Sequence, residues 1–390
     1  MRDRLYLDNA ATSFPKPPAV FDAMRDYAER LGASAGRGAY REALETGEIV
    51  SRCRRLLARL FNAEAPEQIV FGLNCTDMLN LAIQGAVRPG DHVVASRMDH
   101  NSVLRPLKAL EATGVSHTLV PADQHTGLIR ADDVIGAIRP NTRLVVLHHA
   151  GNVSGAIAPI ADIGRTARSR DILFLVDAAQ TAGHLPIDVR GMSIDLLAFP
   201  GHKGLLGPLG TGGLYVRRGI EPRIRPLKQG GTGSVSEEAT HPSFMPDRYE
   251  SGSHNAIGLA GLAAAVEWIL DRGVESLAAH DRALSVRFLD GVRDMPDVTV
   301  LGPGDPSQRV AVFSVRVGGY EPSELAALLE GEFGLLTRGG IHCAPLAHAT
   351  FGTHQTGGAT RLSFGAFNTE CDVDRALDAL SQVSAAVAPR

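Results

Sequence analysis

The stretch Phe199-Pro200-Gly201-His202-Lys203-Gly204-Leu205-Leu206-Gly207-Pro208 places a lysine among glycines, directly after the apolar run 195–199. Lysine is rare in this chain, because arginine carries nearly all of its basic charge. Upstream, a second buried-strand pattern at 172–176 ends in Asp177. Ligands of open α/β sheets lie beyond the carboxyl ends of the strands. We therefore expect Asp177 and Lys203 to face one crevice.

This pair of side chains matches the needs of one cofactor. Pyridoxal phosphate requires an amine that forms a Schiff base and a carboxylate that keeps the pyridine nitrogen protonated. A phosphate-binding Walker loop is the alternative for Lys203, but it requires Gly-Lys-Ser/Thr and the chain has His202-Lys203-Gly204. An aspartate after a strand is by itself more often a helix cap. Because Lys203 follows downstream, a cofactor contact is the better prediction for Asp177 than a helix cap.

The composition narrows the class of protein. A chain of 390 residues can bury one large core and a smaller second one. The net charge of -4 gives no electrostatic reason to expect nucleic acid or an anionic membrane as a partner. Residues 1–9 lack the apolar segment of a signal peptide and no later run could span a bilayer, so we expect a cytoplasmic protein. Four scattered cysteines are too few for a disulfide framework.

Strand and helix patterns alternate between residues 68 and 216, which predicts a mostly parallel sheet covered on both faces. The strand patterns are 68–71, 92–95, 143–147, 173–176, 196–199 and 213–216. Residues 223–255 are rich in Gly, Pro, Ser and Thr, as expected for an ordered active-site loop region or a subunit contact. Beyond them, an apolar helix at 256–270, strands at 309–316 and 360–364, and a helix at 323–330 predict an α+β unit.

Seven motifs, from Tyr6-Leu7-Asp8-Asn9-Ala10-Ala11-Thr12 to the segment around Arg361, occur in an order that resembles the class V aminotransferase-fold, pyridoxal-phosphate-dependent enzymes. Within that group the chain is similar to the cysteine desulfurases. The resemblance implies the fold type I of pyridoxal-phosphate transferases, in which a mostly parallel seven-stranded sheet lies between helices. We predict a large domain of residues 15–255 and a small α+β domain of residues 256–390 with 1–14. A homodimer with shared active sites is also implied.

The same resemblance assigns the cofactor contacts. It makes Lys203 the Schiff-base lysine, Asp177 the partner of the pyridine nitrogen and Gln180 the donor to the ring oxygen. His100 would stack on the ring and move protons. The remaining contacts are the Cys75 amide, Thr76 and His202 at the phosphate, Ser253 at the phosphate of the neighbouring subunit, and Asn152 near the cofactor oxygen. For Cys75 and Thr76, the amides of a helix N-terminus give an independent reason to expect an anion.

The substrate contacts follow from two further motifs. Arg361 matches the arginine that clamps the substrate carboxylate, a task that suits a planar guanidinium; Asn152, Ala10 and Arg338 are expected nearby. Arg338-Gly339-Gly340-Ile341-His342-Cys343-Ala344-Pro345 resembles the motif of the second group of cysteine desulfurases, whose cysteine accepts sulfur. We expect Arg338 and His342 to favour the thiolate of Cys343.

Alternatives remain open at Cys343. It could be an inert small hydrophobic residue, or it could bind zinc with His342, His348 and His354. The irregular spacing of the histidines and the lack of a nearby second thiol disfavour zinc. We therefore predict no metal. The chain departs from the family pattern at Pro200 and Cys75, which replace hydroxyl residues near the phosphate, whereas Ser253 in place of threonine keeps the hydroxyl.

Three functions are compatible with these residues. The leading one is a desulfurase that converts L-cysteine to L-alanine and passes sulfur through Cys343 to an acceptor protein. A selenocysteine lyase, or another carbon-sulfur lyase, would use the same pocket. A catalytically silent paralogue that serves as a binding partner is disfavoured, because such a protein has no chemical need to keep Lys203, Asp177, His100, Arg361 and Cys343.

Overall fold

The structure, a computed structural model, describes residues 4–36, 38–235 and 237–387. These residues form thirteen β-strands and eleven α-helices. The strands are β1 (Leu5–Tyr6), β2 (Ile69–Gly72), β3 (His92–Ser96), β4 (Ser116–Val120), β5 (Thr142–His148), β6 (Leu173–Asp177), β7 (Leu196–Pro200), β8 (Gly212–Val216), β9 (Val298–Leu301), β10 (Val312–Val317), β11 (Leu335–Leu336), β12 (Arg338–Gly340) and β13 (Ala359–Ser363). The helices are α1 (Pro18–Asp26), α2 (Arg41–Leu60), α3 (Cys75–Ala86), α4 (Asn101–Leu110), α5 (Ala131–Gly136), α6 (Ile160–Ser169), α7 (Ala256–Arg272), α8 (Val274–Val292), α9 (Pro322–Phe333), α10 (Pro345–Thr350) and α11 (Glu370–Val387).

Within the described residues, a seven-stranded sheet has the order β2-β8-β7-β6-β5-β3-β4. Only β8 runs antiparallel to its neighbours, so the predicted mostly parallel sheet is confirmed. Every residue of β3, β6, β7 and β8 is buried. Continuous burial is typical of strands that are covered by helices on both faces, and it explains why apolar residues predominate in these strands.

The order of the strands determines where the site lies. Strands β6 and β7 are neighbours, with Asp177 opposite Ala198. Asp177 ends β6, and Lys203 follows the end of β7 by three residues. Gly204 lets the turn after Lys203 pack against the turn after Asp177, because a Cβ at this position would collide with the Ala182 carbonyl and the His184 ring. Both side chains therefore lie at the same edge of the sheet, as predicted.

A second, antiparallel sheet has the order β12-β13-β10-β9. Its core includes three rings in mutual contact, Phe288, Phe313 and Phe364. The N-terminal strand β1 pairs in parallel with β11. Helix α7 packs instead against α1 and α2, on the side of the large sheet. The domain boundary at residue 255 stays a prediction, and the packing of α7 is a reason to place it later.

The segment 224–255 contains no helix or strand in its described residues, 224–235 and 237–255. It is nevertheless anchored. The Glu250 carboxylate accepts hydrogen bonds from Arg54 Nη1 and Nη2 at 2.8 and 2.9 Å and from the Phe71 amide at 2.6 Å. Glu250 and Arg54 are both buried, so this ion pair fixes the end of the segment to α2 and β2.

No helix in the described part of the chain is long and apolar enough to cross a membrane.

Candidate active site

A cavity at the carboxyl ends of the strands brings together most of the predicted cofactor residues. Eight of them line it: Cys75, Thr76, His100, Asn152, Asp177, Gln180, His202 and Lys203. Pro200 lines it as well, without a hydroxyl to offer. These residues come from five separate segments of the chain, at strand ends, helix starts and loops between positions 75 and 203. The cavity is therefore a product of the sheet topology.

One oxygen of the Asp177 carboxylate is occupied and the other is available. Oδ1 accepts hydrogen bonds from the Ala179 amide at 2.9 Å and from the Cys75 thiol at 3.4 Å. Among the described residues, Oδ2 has no hydrogen-bond partner. Burial first, and the charge of Asp177 second, raise the pKa of Cys75 well above its usual value, so its thiol remains a donor. Cys75 was expected to contribute only its amide; its thiol also orients the carboxylate.

The amine of Lys203 is in a setting that favours its neutral form. Burial lowers its pKa, and the positive charges of Arg361 and Arg338 act in the same direction, whereas Asp177 opposes them. Only the neutral amine is a nucleophile toward an aldehyde. The environment of Lys203 thus fits Schiff-base chemistry.

His100 is held in one tautomer. It caps α4, and its Nδ1 accepts a hydrogen bond from the Ser102 amide at 3.0 Å. A main-chain N–H can only donate, so the proton of the neutral ring is on Nε2. Burial lowers the pKa of His100 against the opposing charge of Asp177. Ser102, which the sequence analysis missed, also bonds Nδ1 and the Thr76 hydroxyl, at 2.9 and 2.8 Å; its position two residues into the helix after His100 was the available signal.

The phosphate end of the predicted site contains an unpaired ring nitrogen. His202 Nδ1 is buried and has no hydrogen-bond partner among the described residues. Burial, followed by the charges of Lys203 and Lys16, lowers the pKa of His202 to about 4, so the ring is neutral. Together with the Thr76 hydroxyl and the N-terminus of α3, this unpaired atom fits a phosphate oxygen. The set of donors in the cavity therefore fits pyridoxal phosphate.

Hydrogen bonds among four predicted residues, Ala10, Asn152, Gln180 and Arg361, connect the cavity to the second sheet. Gln180 Nε2 donates to the Ala10 carbonyl at 3.2 Å. Asn152 Nδ2 donates to the His342 carbonyl at 2.6 Å, and the Asn152 carbonyl accepts from Arg361 Nη1 at 3.2 Å. Asn152 thus links the predicted cofactor residues to both predicted substrate segments.

Arg361 has a partner that the sequence analysis did not identify. Its Nη2 donates to Asp8 Oδ1 at 2.7 Å, while its buried Nε has no partner among the described residues. Burial lowers the pKa of Arg361, and the charge and hydrogen bond of Asp8 oppose that effect. Arg338 is its cross-strand neighbour on β12. Asp8 lies within the first motif, so that motif supplied the residue but not its role.

Cys343 lies on an exposed loop that is attached to the cavity. Its carbonyl accepts from the Asn101 amide at 2.8 Å, directly after His100. Its Sγ lies 3.9 Å from Arg338 Nη2, so the guanidinium and the thiol are close together. The expectation for His342 is wrong: burial lowers the pKa of His342 to about 3, and both of its ring nitrogens bond other groups. It is neutral and adds no positive charge beside the thiol.

Two further predictions concern residues outside this cavity. Ser253 lines a different cavity, with Lys228 and Tyr249, and its Oγ lies 3.4 Å from that of Ser34. Its proposed contact with the phosphate of a neighbouring subunit stays a prediction. In the described part of the chain, no group of three histidine, cysteine, aspartate or glutamate side chains is arranged to hold a metal ion.

Comparisons with known proteins agree with this architecture. The chain is 33% identical to the probable cysteine desulfurase of Methanothermobacter thermautotrophicus over 387 residues, covering 98% of this chain and 96% of the relative. It is 30% identical to the cysteine desulfurase of Salmonella agona, covering 97% and 93%. The apo structure of the cysteine desulfurase from Thermococcus onnurineus superimposes with a TM-score of 0.92 at 30% identity, over 98% of this chain and 95% of that one. The predicted fold is thereby confirmed. Residues 5–376 match the family model "Aminotransferase class-V", and the chain therefore belongs to the class-V aminotransferase family.

Proposed function

We propose that this protein is a pyridoxal-phosphate-dependent cysteine desulfurase that converts L-cysteine to L-alanine and keeps the sulfur as a persulfide on Cys343. The attachment of the Cys343 loop to the cavity of Lys203 and Asp177, through Asn101 and Asn152, is the observation that carries the proposal. The names of the relatives support it. Without a thiol at this place, the cavity would equally suit other reactions of amino acids.

Each of the cofactor residues has a separate role. Class-V aminotransferases generally use pyridoxal phosphate, which when bound supplies an electron sink for breaking bonds at the α- and β-carbons of an amino acid. Lys203 holds the cofactor and then, as a neutral amine, moves the α-proton. The free Oδ2 of Asp177 would accept the pyridine N–H of the bound cofactor, and His100, with its proton on Nε2, would lie beside the cofactor ring. His202, Thr76 and the Cys75 amide bind the phosphate.

The remaining residues bind the substrate and take its sulfur. Arg361 binds the carboxylate of L-cysteine through the side of the guanidinium that Asp8 leaves free. The Cys343 thiolate forms a sulfur-sulfur bond with the substrate sulfur while the carbon-sulfur bond breaks. The electron pair of the broken bond goes to the β-carbon, which takes a proton. The products are alanine and one persulfide, and no external oxidant is needed.

The setting in the cell is part of the same proposal. We expect a homodimer in which Ser253 reaches the partner's phosphate site, and an acceptor protein that removes the sulfur from the exposed Cys343. The four cysteines are all free thiols, which fits the reducing conditions of the cytoplasm.

The test is mass spectrometry of the intact protein, and of its peptides, after addition of L-cysteine. We expect one added sulfur atom on Cys343, released by a thiol reductant, and alanine in equal amount for one turnover. A Cys343→Ser variant should keep the absorption of the bound cofactor but acquire no sulfur, whereas a Cys371→Ser variant, which changes the other exposed thiol, should behave as the wild type. If Cys343→Ser forms alanine at the full rate, the role of Cys343 is wrong.

A further inference from the structure

Two buried histidines form a chain of hydrogen bonds next to Cys343. His342 directly precedes Cys343, and His348 lies in α10. His342 Nε2 bonds the Arg338 carbonyl at 2.9 Å, and His342 Nδ1 bonds His348 Nε2 at 3.2 Å. His348 Nδ1 bonds the Thr353 hydroxyl at 2.8 Å. His342 and His348 are only 4% and 0% exposed, so water does not compete for these contacts.

One carbonyl determines every donor in the chain. The Arg338 oxygen can only accept, so His342 carries its proton on Nε2. Burial lowers the pKa of His342 to about 3 and that of His348 to about 4, so both rings are neutral. The unprotonated Nδ1 of His342 then accepts the proton of His348 Nε2. The unprotonated Nδ1 of His348 accepts from the Thr353 hydroxyl at 2.8 Å, a shorter contact than the 3.3 Å from that hydroxyl to the His348 carbonyl. Each ring uses both nitrogens, which leaves neither free to act as a base or a metal ligand.

The loop above this chain has a conformation that needs support. His342 and Cys343 both have positive φ, 53° and 57°, which is uncommon for residues other than glycine and persists where the surroundings enforce it. The Asn152 amide holds the His342 carbonyl, and the Asn101 amide holds the Cys343 carbonyl. These two bonds attach the backbone to the cavity, and the histidine chain attaches it to α10.

We infer that His342, His348 and Thr353 are positioning residues that hold Cys343 in its left-handed turn beside the Arg338 guanidinium. Because His342 bonds the main chain of Arg338 and precedes Cys343, it sets the relative position of the charge and the thiol. The expected consequence for sulfur transfer rests on the proposed function. The geometric part does not, since the reactivity of the thiol can be measured without substrate.

The experiment compares His348→Leu with His348→Gln in the holoenzyme. Leucine leaves the His342 ring without a donor, whereas a glutamine amide can donate to His342 and accept from Thr353. We expect His348→Leu to slow single-turnover persulfide formation by about tenfold, the effect of one lost buried hydrogen bond, and His348→Gln to restore most of the rate. The cofactor absorption should be the same in both. His354→Leu, at an exposed histidine six residues further on, is the matched control and should match the wild type.

A second readout separates this inference from the proposed function. Alkylation by iodoacetamide, followed by peptide mass spectrometry, gives the rate at Cys343 relative to Cys371, the other exposed thiol. We expect the ratio to fall in His348→Leu and to recover in His348→Gln. If the wild type forms no persulfide but the ratio changes as expected, the proposed function fails and the positioning role stands.

The inference is overturned if His348→Leu and His348→Gln have equal ratios, or if His354→Leu lowers the ratio as much as His348→Leu. Should His348→Leu not fold, Thr353→Val and Thr353→Ser repeat the comparison at the far end of the chain. Valine removes the donor to His348 and serine keeps it. A Thr353→Val protein with the alkylation ratio of Thr353→Ser would equally overturn the inference.

Discussion

The two ends of the candidate active site are held in different ways. Asp177 ends β6 and Lys203 follows β7, and every residue of these two neighbouring strands is buried. Cys343 lies on an exposed loop between β12 and α10, in a left-handed conformation that side-chain hydrogen bonds maintain. At the first end the fold itself sets the geometry. At the second end a few polar side chains set it.

The difference matches what each end has to do. A Schiff-base lysine and the carboxylate beside it work best where burial controls their charge, and burial indeed lowers the pKa of Lys203. A sulfur-accepting cysteine must reach both a bound substrate and an acceptor outside, which requires exposure. An exposed loop has few apolar contacts, so hydrogen bonds have to supply its order. We therefore predict that a substitution at one end of the site leaves the geometry of the other end unchanged.

The largest effect should follow from Lys203→Ala. The group that moves the α-proton is lost, so we expect alanine formation from L-cysteine to fall by about 10²–10⁴-fold or more, measured by amino-acid analysis. The alkylation ratio of Cys343 to Cys371 should stay at the wild-type value, since the loop does not depend on Lys203. Lys108→Ala removes an exposed lysine of α4 that is paired with Glu111 and serves as control. Alanine formation at the wild-type rate in Lys203→Ala would refute the assignment.

An intermediate effect is expected at Arg361, which joins the two ends. Arg361→Lys replaces a planar, bidentate group by a point charge, so the KM for L-cysteine should rise by about 10–100-fold, the equivalent of a charged hydrogen bond, with a smaller change in kcat. Asp8→Asn keeps an acceptor for Arg361 Nη2 but removes its charge, and should raise KM less. Steady-state kinetics give both constants. A lower kcat at unchanged KM in Arg361→Lys would place this arginine in the chemical step rather than in substrate binding.

The sequence predicted the first end of the site far better than the second. Asp177 and Lys203 end apolar runs, and a local pattern together with the topology of parallel sheets is enough to bring them together. The pairs Asp8 with Arg361 and Cys75 with Asp177 are separated by 353 and 102 positions. No local pattern encodes such contacts. Strand β4 was also missed, because an edge strand with the sequence Ser-His-Thr-Leu-Val lacks the continuous apolar run of the central strands.

The role of His342 shows a further limit of the sequence. A histidine next to a cysteine indicates a charge that would favour the thiolate, and the motif alone gives no reason to think otherwise. Burial depends on the tertiary structure, and it keeps the ring neutral. The partner His348 is only six residues away, but its position beneath the loop depends on the short helix α10, which the sequence analysis did not predict.

The smallest effect concerns His184, whose pKa is raised, in contrast to the two histidines near Cys343, whose pKa values are lowered. His184 packs against Gly204 and bonds Asp281 of α8 at 2.6 Å. Burial alone would lower its pKa, but the charge and the hydrogen bond of Asp281 raise it above the ordinary 6.5. Because the pKa of His184 is higher in the folded state, the ion pair contributes its full stabilisation at pH values below about 6.5. This contribution is lost as the pH rises through the folded-state pKa. The pair should therefore stabilise the fold near pH 6 and contribute less near pH 9.

Asp281→Asn tests this sign. The variant should lower the free energy of unfolding by roughly 1–3 kcal/mol at about pH 6 and by less at about pH 9, as measured by urea denaturation. The difference between variant and wild type at each pH removes the contribution of groups that titrate equally in both proteins. Asp290→Asn changes an exposed aspartate of the same helix, paired with Arg293, and should show little dependence on pH. An equal loss at the two pH values would mean that Asp281 does not raise the pKa of His184 and that this histidine is neutral in the folded protein, like His342 and His348.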